Sequence, residues 1–105
     1  MIADGCEIFG SVHTSVLGPG VVVEAGAQVR DSVIFADVTV RSAATVDWSI
    51  VDVGTEVGPG ARVGDGNPQQ VLEPERIVLV GADCRIAPGA HVPRGSRLEP
   101  GTIAD

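Results

Sequence analysis

The sequence predicts an all-β parallel solenoid, and three observations predict it. Residues 15–31, 32–48 and 49–65 are three copies of one 17-residue unit. Branched aliphatics recur at fixed places in each copy: Leu17, Val23, Val29, then Ile34, Val40, Val46, then Val51, Val57, Val63, in steps of 6, 6 and 5. Aromatics are scarce, with two Phe, one Trp and no Tyr among 105 residues. A short β-sized period stacks its units and buries a continuous core that no single unit could bury. A narrow column lined by Val, Ile, Leu and Ala has no room for the rings that fill a compact core.

Each hexad predicts one short strand and one corner. The aliphatic side chain points inward, and a small residue four places later sits where the corner narrows: Ala27 after Val23, Ala44 after Val40, Ala61 after Val57. Three hexads close a triangular coil, and coils stack at about 4.8 Å into three parallel sheets. The same spacing returns at Val80, Ile86, Val92 and Leu98, with Cys84, Ala90, Ser96 and Thr102 as small partners. About five coils result, a column on the order of 25 Å tall.

The ends of the pattern are less regular. Val12 precedes Leu17 by five and Cys6 precedes Val12 by six, whereas Ile2 and Ile8 run in a competing phase. The first coil is therefore expected to carry an irregular corner near Glu7–Gly10. The pattern lapses between Gly64 and Arg76. Pro68 and Pro74 cannot donate to a strand ladder there, which predicts a polar loop protruding from a corner near 64–76. The expected organisation is one domain over 1–105, with regular coils to 64, a loop over 65–76, and C-terminal coils over 77–105.

Charge narrows the partners. Fourteen acidic residues oppose seven arginines, and the net charge is −7. That argues against nucleic acid and anionic membrane, which need a basic face. No basic start leads into an apolar run, and no stretch approaches the roughly 20 apolar residues of a bilayer span, so a cytoplasmic protein is expected. Cys6 and Cys84 fall near inward positions and read as buried thiols packing as small apolar groups.

Little chemistry is encoded. Gly18-Pro19-Gly20 and Gly58-Pro59-Gly60 read as corners, not phosphate loops. A catalytic zinc site needs three protein ligands, and the two histidines, His13 and His91, sit on outward positions near opposite ends of the column. Ser15, Ser32 and Ser49 recur because the corner needs a small polar residue. Asp31, Asp47, Asp52 and Asp65 crowd the corners, where carboxylates accept local backbone N–H groups. No catalytic, cofactor-binding or metal residue is assigned, and no cofactor is expected. Arg30, Arg41 and Arg62 lie outward on neighbouring coils and could contact an anion, since a planar guanidinium suits phosphate; Arg85, Arg94 and Arg97 do the same near the C-terminal end. Outward apolar residues are expected to be few, with Val22, Phe35 and Trp48 as the candidates for an interface.

Two resemblances follow from these words. The hexad pattern resembles the left-handed parallel β-helix, and the handedness is taken from that resemblance. The stretches Ser15–Ile34, Val38–Asp52 and Val57–Gly64, with Ile2-Ala3-Asp4-Gly5-Cys6 and Gly10-Ser11-Val12 upstream, resemble the C-terminal domain of bacterial ADP-glucose pyrophosphorylases (glucose-1-phosphate adenylyltransferases). The Ser-Val-Leu and Ser-Val-Ile openings and Ile50-Val51-Asp52 are the more specific words. In that family a larger N-terminal domain carries the nucleotide and sugar-phosphate sites, and the β-helix supports oligomerisation and allosteric control. The resemblance thus implies a regulatory and assembly domain for glycogen or glucan synthesis, inactive alone, partnered by its own missing catalytic domain and by further copies of itself. The family's effector sites use lysines, of which this chain has none, and none is carried over. The alternative is a stand-alone trimeric hexapeptide acyltransferase with His13 or His91 as general base.

Overall fold

The structure is a computed structural model that describes residues 5–64, 77–93 and 95–104. The loop expected over 65–76, Asp65, Arg94 and the residues upstream of Gly5 lie outside the described residues. The strands of the described residues make five coils. The first holds β1 (Glu7–Ile8), β2 (Ser11–His13) and β3 (Val16–Leu17). The second holds β4 (Val22–Val23), β5 (Gln28–Arg30) and β6 (Val33–Ile34). The third holds β7 (Thr39–Val40), β8 (Thr45–Asp47) and β9 (Ser49–Val51). The fourth holds β10 (Glu56–Val57), β11 (Arg62–Val63) and β12 (Val78–Val80). The fifth holds β13 (Arg85–Ile86), β14 (His91–Val92) and β15 (Arg97–Leu98), and β16 (Ile103–Ala104) opens a further turn.

Every third strand pairs in parallel with the one a coil away. Face 1 runs β1-β4-β7-β10-β13-β16, face 2 runs β2-β5-β8-β11-β14, and face 3 runs β3-β6-β9-β12-β15. The column is a left-handed parallel β-helix. Its core is the aliphatic set named from the sequence. All nine residues from Leu17 to Val63 are at most 1% exposed, and Val80, Ile86 and Val92 are buried with them. They stack on their own kind: Ile8, Val23, Val40, Val57 and Ile86 are successive register partners on face 1. Each fully buried aliphatic side chain contributes roughly 1.5–3 kcal/mol, so the stacking that hides them holds the coils together.

The corners explain the 6, 6, 5 rhythm. Between faces 2 and 3 the chain turns on a single residue in the left-handed region: Thr14 (φ 49°), Asp31 (φ 49°), then Trp48 (φ 50°). Between faces 3 and 1, Gly20, Asp37, Gly54 and Asp83 take that conformation in turn. Glycine and aspartate alternate for a reason of space, since a Cβ on Gly20 would strike the Asp37 carboxylate and one on Gly54 the Asp83 carboxylate.

The first coil departs from its neighbours as expected, with one correction of phase. Ile8, not Cys6, takes the inward slot of face 1, opposite Val23. Only Phe9 and Gly10 then separate β1 from β2, where the second coil uses four residues between β4 and β5. Cys6 stands instead in the small-residue slot, below Val21. Its thiol donates to the Gly18 carbonyl at 3.1 Å, as that of Cys84 does to Glu99. Both cysteines are free thiols. They lie four coils apart, about 19 Å at the ordinary strand spacing, well beyond the ~7 Å Cα limit for a disulfide. None of the described residues forms a helix long and apolar enough to cross a membrane.

Candidate functional site

The polar residues that the sequence singles out are mostly used to fasten one coil to the next. Ser15, Ser32 and Ser49 form a ladder along the corner between faces 2 and 3. Ser32 donates its hydroxyl to the Arg30 carbonyl at 2.7 Å and accepts the Ser49 N–H at 3.2 Å. Ser15 likewise donates to the His13 carbonyl and accepts the Ser32 N–H. Each hydroxyl closes its own corner and satisfies the next, which is the work the repeat needs of a small polar residue.

The arginines separate by environment. On β5 and β8, Arg30 and Asp47 are register partners. The guanidinium donates Nε–H to Asp47 Oδ1 at 2.8 Å and Nη2–H to Oδ2 at 3.2 Å. This corrects one expectation: Asp47 is buried against a cation, not capped by local N–H groups. Asp52 does follow that expectation, its Oδ1 accepting the Val53 N–H at 2.7 Å. Arg41, at the corner between faces 1 and 2, donates to Glu56 at 2.6 Å and to Glu24 at 3.0 Å, tying three coils. The hydrogen bond to Glu56, and then that to Glu24, raise the Arg41 guanidinium above its usual range. Arg62 projects from β11 between Thr45 and His91. Arg30 and Arg41 thus occupy opposite edges of face 2, each already held by carboxylates. The repeat length was a usable signal for these pairs: Arg30 and Asp47, like Glu24 and Arg41, are 17 residues apart, one coil.

His13 on β2 and His91 on β14 stand outward on the two end strands of face 2. No group of three or more His, Cys, Asp or Glu able to hold a metal occurs among the described residues.

The outward surfaces of the three faces differ in kind. Face 1 presents Glu7, Val22, Thr39, Glu56 and Arg85 in register. Face 2 presents Gln28, Thr45, Arg62 and His91. Face 3 presents Val16, Val33, Ile50 and Leu79, with Arg97 at its far end. The expectation that outward apolar residues are few is overturned here. The signal was available, because neighbours in a strand point to opposite sides. An aliphatic doublet such as Val16-Leu17, Val33-Ile34, Ile50-Val51 or Leu79-Val80 must send one member out.

The interface candidates distribute accordingly. Val22 is half-buried among polar neighbours on face 1. Phe35 and Trp48 flank face 3 on its two edges, Phe35 being 43% exposed where the chain leaves β6. Beside Trp48 lies a shallow notch of about 280 Å³, lined by Asp31, Val33, Trp48, Ser49, Ile50 and Ile77. A left-handed backbone costs a non-glycine residue roughly 1–2 kcal/mol, and Asp or Gly would suit this corner better than an indole. The position bears that strain and keeps a tryptophan.

A family model for the GlmU-like C-terminal hexapeptide matches residues 1–73. The chain belongs to this GlmU-like hexapeptide family. Its curated relatives include glucose-1-phosphate adenylyltransferases. That of Acetivibrio thermocellus is 31% identical over 110 residues, covering 100% of this chain and 26% of the relative. That of Desulforamulus reducens is 29% identical over 98 residues, covering 93% and 25% respectively. That of Methylococcus capsulatus is 34% identical over 89 residues, covering 80% and 21%. The GlmU-like domain thus spans about a quarter of the length of the curated relatives it matches.

Proposed function

We propose that this GlmU-like hexapeptide domain is the assembly and allosteric regulatory part of a glucose-1-phosphate adenylyltransferase-like enzyme. Nucleotide and sugar-phosphate chemistry would then belong to a catalytic domain outside these 105 residues. The observation that carries this reading is the alignment of the whole chain to 26% of an adenylyltransferase. The use of the conspicuous polar groups supports it. The serine hydroxyls and the Arg30 and Arg41 guanidiniums hold coil to coil, as suits a support. Self-association and a cytoplasmic location belong to the same reading.

The test has two parts. The purified chain incubated with ATP and glucose 1-phosphate releases no pyrophosphate. A chimera in which this chain replaces the matching quarter of the Acetivibrio thermocellus enzyme assembles and turns over, where the enzyme truncated at that point does not. Turnover by the isolated chain, or a chimera no better than the truncated enzyme, overturns the reading.

A further inference from the structure

The corner between faces 2 and 3 holds a charge that the fastening of coil to coil leaves unused. Asp31 and Trp48 occupy the same turn position one coil apart, with φ 49° and φ 50°. Stacking sets their backbones about 4.8 Å apart along the column. Both line the notch of about 280 Å³, with the register partners Val33 and Ile50 and, beside them, Ile77. The Ser49 hydroxyl in the same lining already donates to the Asp47 carbonyl at 2.8 Å. Asp47 gives its carboxylate to Arg30, whereas the exposed Asp31 enters no ion pair among the described residues. Arg97, the arginine of face 3, stands on β15, two strands beyond β9 and outside the notch lining. The turn itself does not require an indole, since Thr14 and Asp31 make it in the two coils before.

We propose that this notch receives an arginine side chain from a partner protein, its guanidinium against the Trp48 indole and the Asp31 carboxylate. The proposal goes beyond the assembly reading and does not rest on it. Three features of the lining select this occupant. Asp31 is the charge of the lining and belongs to a chain of net charge −7, so an anion is repelled and a cation is drawn in. A purely apolar occupant would strip water from that carboxylate and give it nothing in return. An indole attracts a cation through its ring face, and more strongly than the other aromatic side chains do. The aliphatic walls of Val33, Ile50 and Ile77 suit the methylene stem of a long basic side chain. Arginine fits better than lysine, because its planar guanidinium both stacks on a ring and offers a carboxylate two parallel N–H groups. The space is about that of nine waters, enough for one such side chain and too little for a folded element. One arginine alone binds weakly, with Kd on the order of 10 mM, so the notch would orient a partner rather than hold it unaided.

Titration of the ¹⁵N-labelled 105-residue chain with N-acetylarginine amide at constant ionic strength tests this, with N-acetylcitrulline amide as the neutral probe of the same shape. The expected result is a saturable shift of the single indole N–H and of the Val33 and Ile50 amides, at least threefold weaker for the citrulline probe. Asp31→Asn and Trp48→Asn each weaken binding about two- to fivefold, read on the Ile50 amide. Asparagine tolerates the left-handed turn at both positions, and an otherwise unchanged amide spectrum shows that each variant keeps its fold. Asp52→Asn, which removes the same charge at a different corner, leaves binding as it was. The blocked peptide Gly-Gly-Arg-Gly-Gly binds at least as tightly as the single residue. Equal response to arginine and citrulline probes, or equal loss in Asp31→Asn and Asp52→Asn, overturns the site and reduces the effect to the diffuse field of an acidic chain. Exclusion of the peptide overturns a partner chain as the source of the arginine. Loss of chimera turnover, by contrast, bears only on the adenylyltransferase reading.

Discussion

Arg30 and Asp47 face each other across adjacent strands, and their two hydrogen bonds of 2.8 and 3.2 Å bring a planar guanidinium against a carboxylate that is 3% exposed. The arginine reaches water, with 37% of its side chain exposed, and the aspartate does not. Removing the cation strands a buried anion, which costs more than the pair itself contributes. Arg30→Ala is therefore expected to lose about 2 kcal/mol, less than for a fully buried pair because the site is open on one side. In a domain of this size that lowers the melting temperature by on the order of 10 °C. Thermal unfolding followed by far-UV circular dichroism checks it, and Arg30→Ala with Asp47→Asn should recover part of the loss.

The serine ladder predicts a second loss of a different kind. Ser32→Ala removes one hydroxyl and leaves the buried Ser49 N–H without its acceptor, while the Arg30 carbonyl keeps the Trp48 N–H at 3.1 Å. About 1–3 kcal/mol is expected to go. Ser32→Thr, which keeps the hydroxyl, should lose less. A denaturant melt that leaves both variants level with the parent would show that the ladder adds nothing.

Two glycines of one corner separate close approach from backbone conformation. A Cβ on Gly58 would stand 2.5 Å from the Ile86 carbonyl oxygen and 2.7 Å from the Pro88 nitrogen, both backbone atoms of the next coil. Gly60 meets nothing within 4 Å but has φ +71°. Gly58→Ala is expected to cost about 3 kcal/mol, because the coils must move apart. Gly60→Ala should cost only the left-handed penalty, about 1 kcal/mol. Equal melting temperatures for the two would contradict this packing.

Salt should distinguish the two arginine clusters. Arg41 is open to solvent beside Glu24 and Glu56, so its contribution is screened. Arg41→Ala is expected to lower the melting temperature at low ionic strength and to match the parent near 1 M salt, where the Debye length is about 3 Å. The raised guanidinium of Arg41 favours the folded state from neutral pH up to its ordinary range, and that contribution falls away in strong alkali. The Arg30→Ala deficit should persist in salt, since Asp47 is buried.

The inward half of the column was legible because its signal is one-dimensional. Leu17, Val23 and Val29 repeat as Ile34, Val40 and Val46, and the stacking converts that spacing directly into a core. The serines were legible for the same reason, since a corner that recurs must solve the same hydrogen-bonding problem each time. The first coil was harder to phase because the turn at Phe9 and Gly10 is two residues shorter, so counting six back from Val12 lands on Cys6 and misses Ile8. The aliphatic side of face 3 escaped notice for another reason. Val33 and Ile50 were absorbed into the hydrophobic words that carry the core, and only the alternation of the strand separates them from Ile34 and Val51. Trp48 stood out in the sequence, but its place on the edge of face 3 away from Phe35 depends on knowing that one corner turns on a single residue.

Because the three copies at 15–65 each begin on the same serine and return to the same corner 17 residues later, length is a quantised property of this part of the molecule. Excising Ser32–Trp48 would join Asp31 to Ser49, set β3 beside β9 and β5 beside β11, and hand the Ser15 hydroxyl the very N–H group it would expect. The ladder would close with its registers intact, one rung of about 4.8 Å shorter. A gene can lengthen or trim such a column by whole rungs without inventing a new turn, and the distance between whatever sits at its two ends becomes a matter of counting.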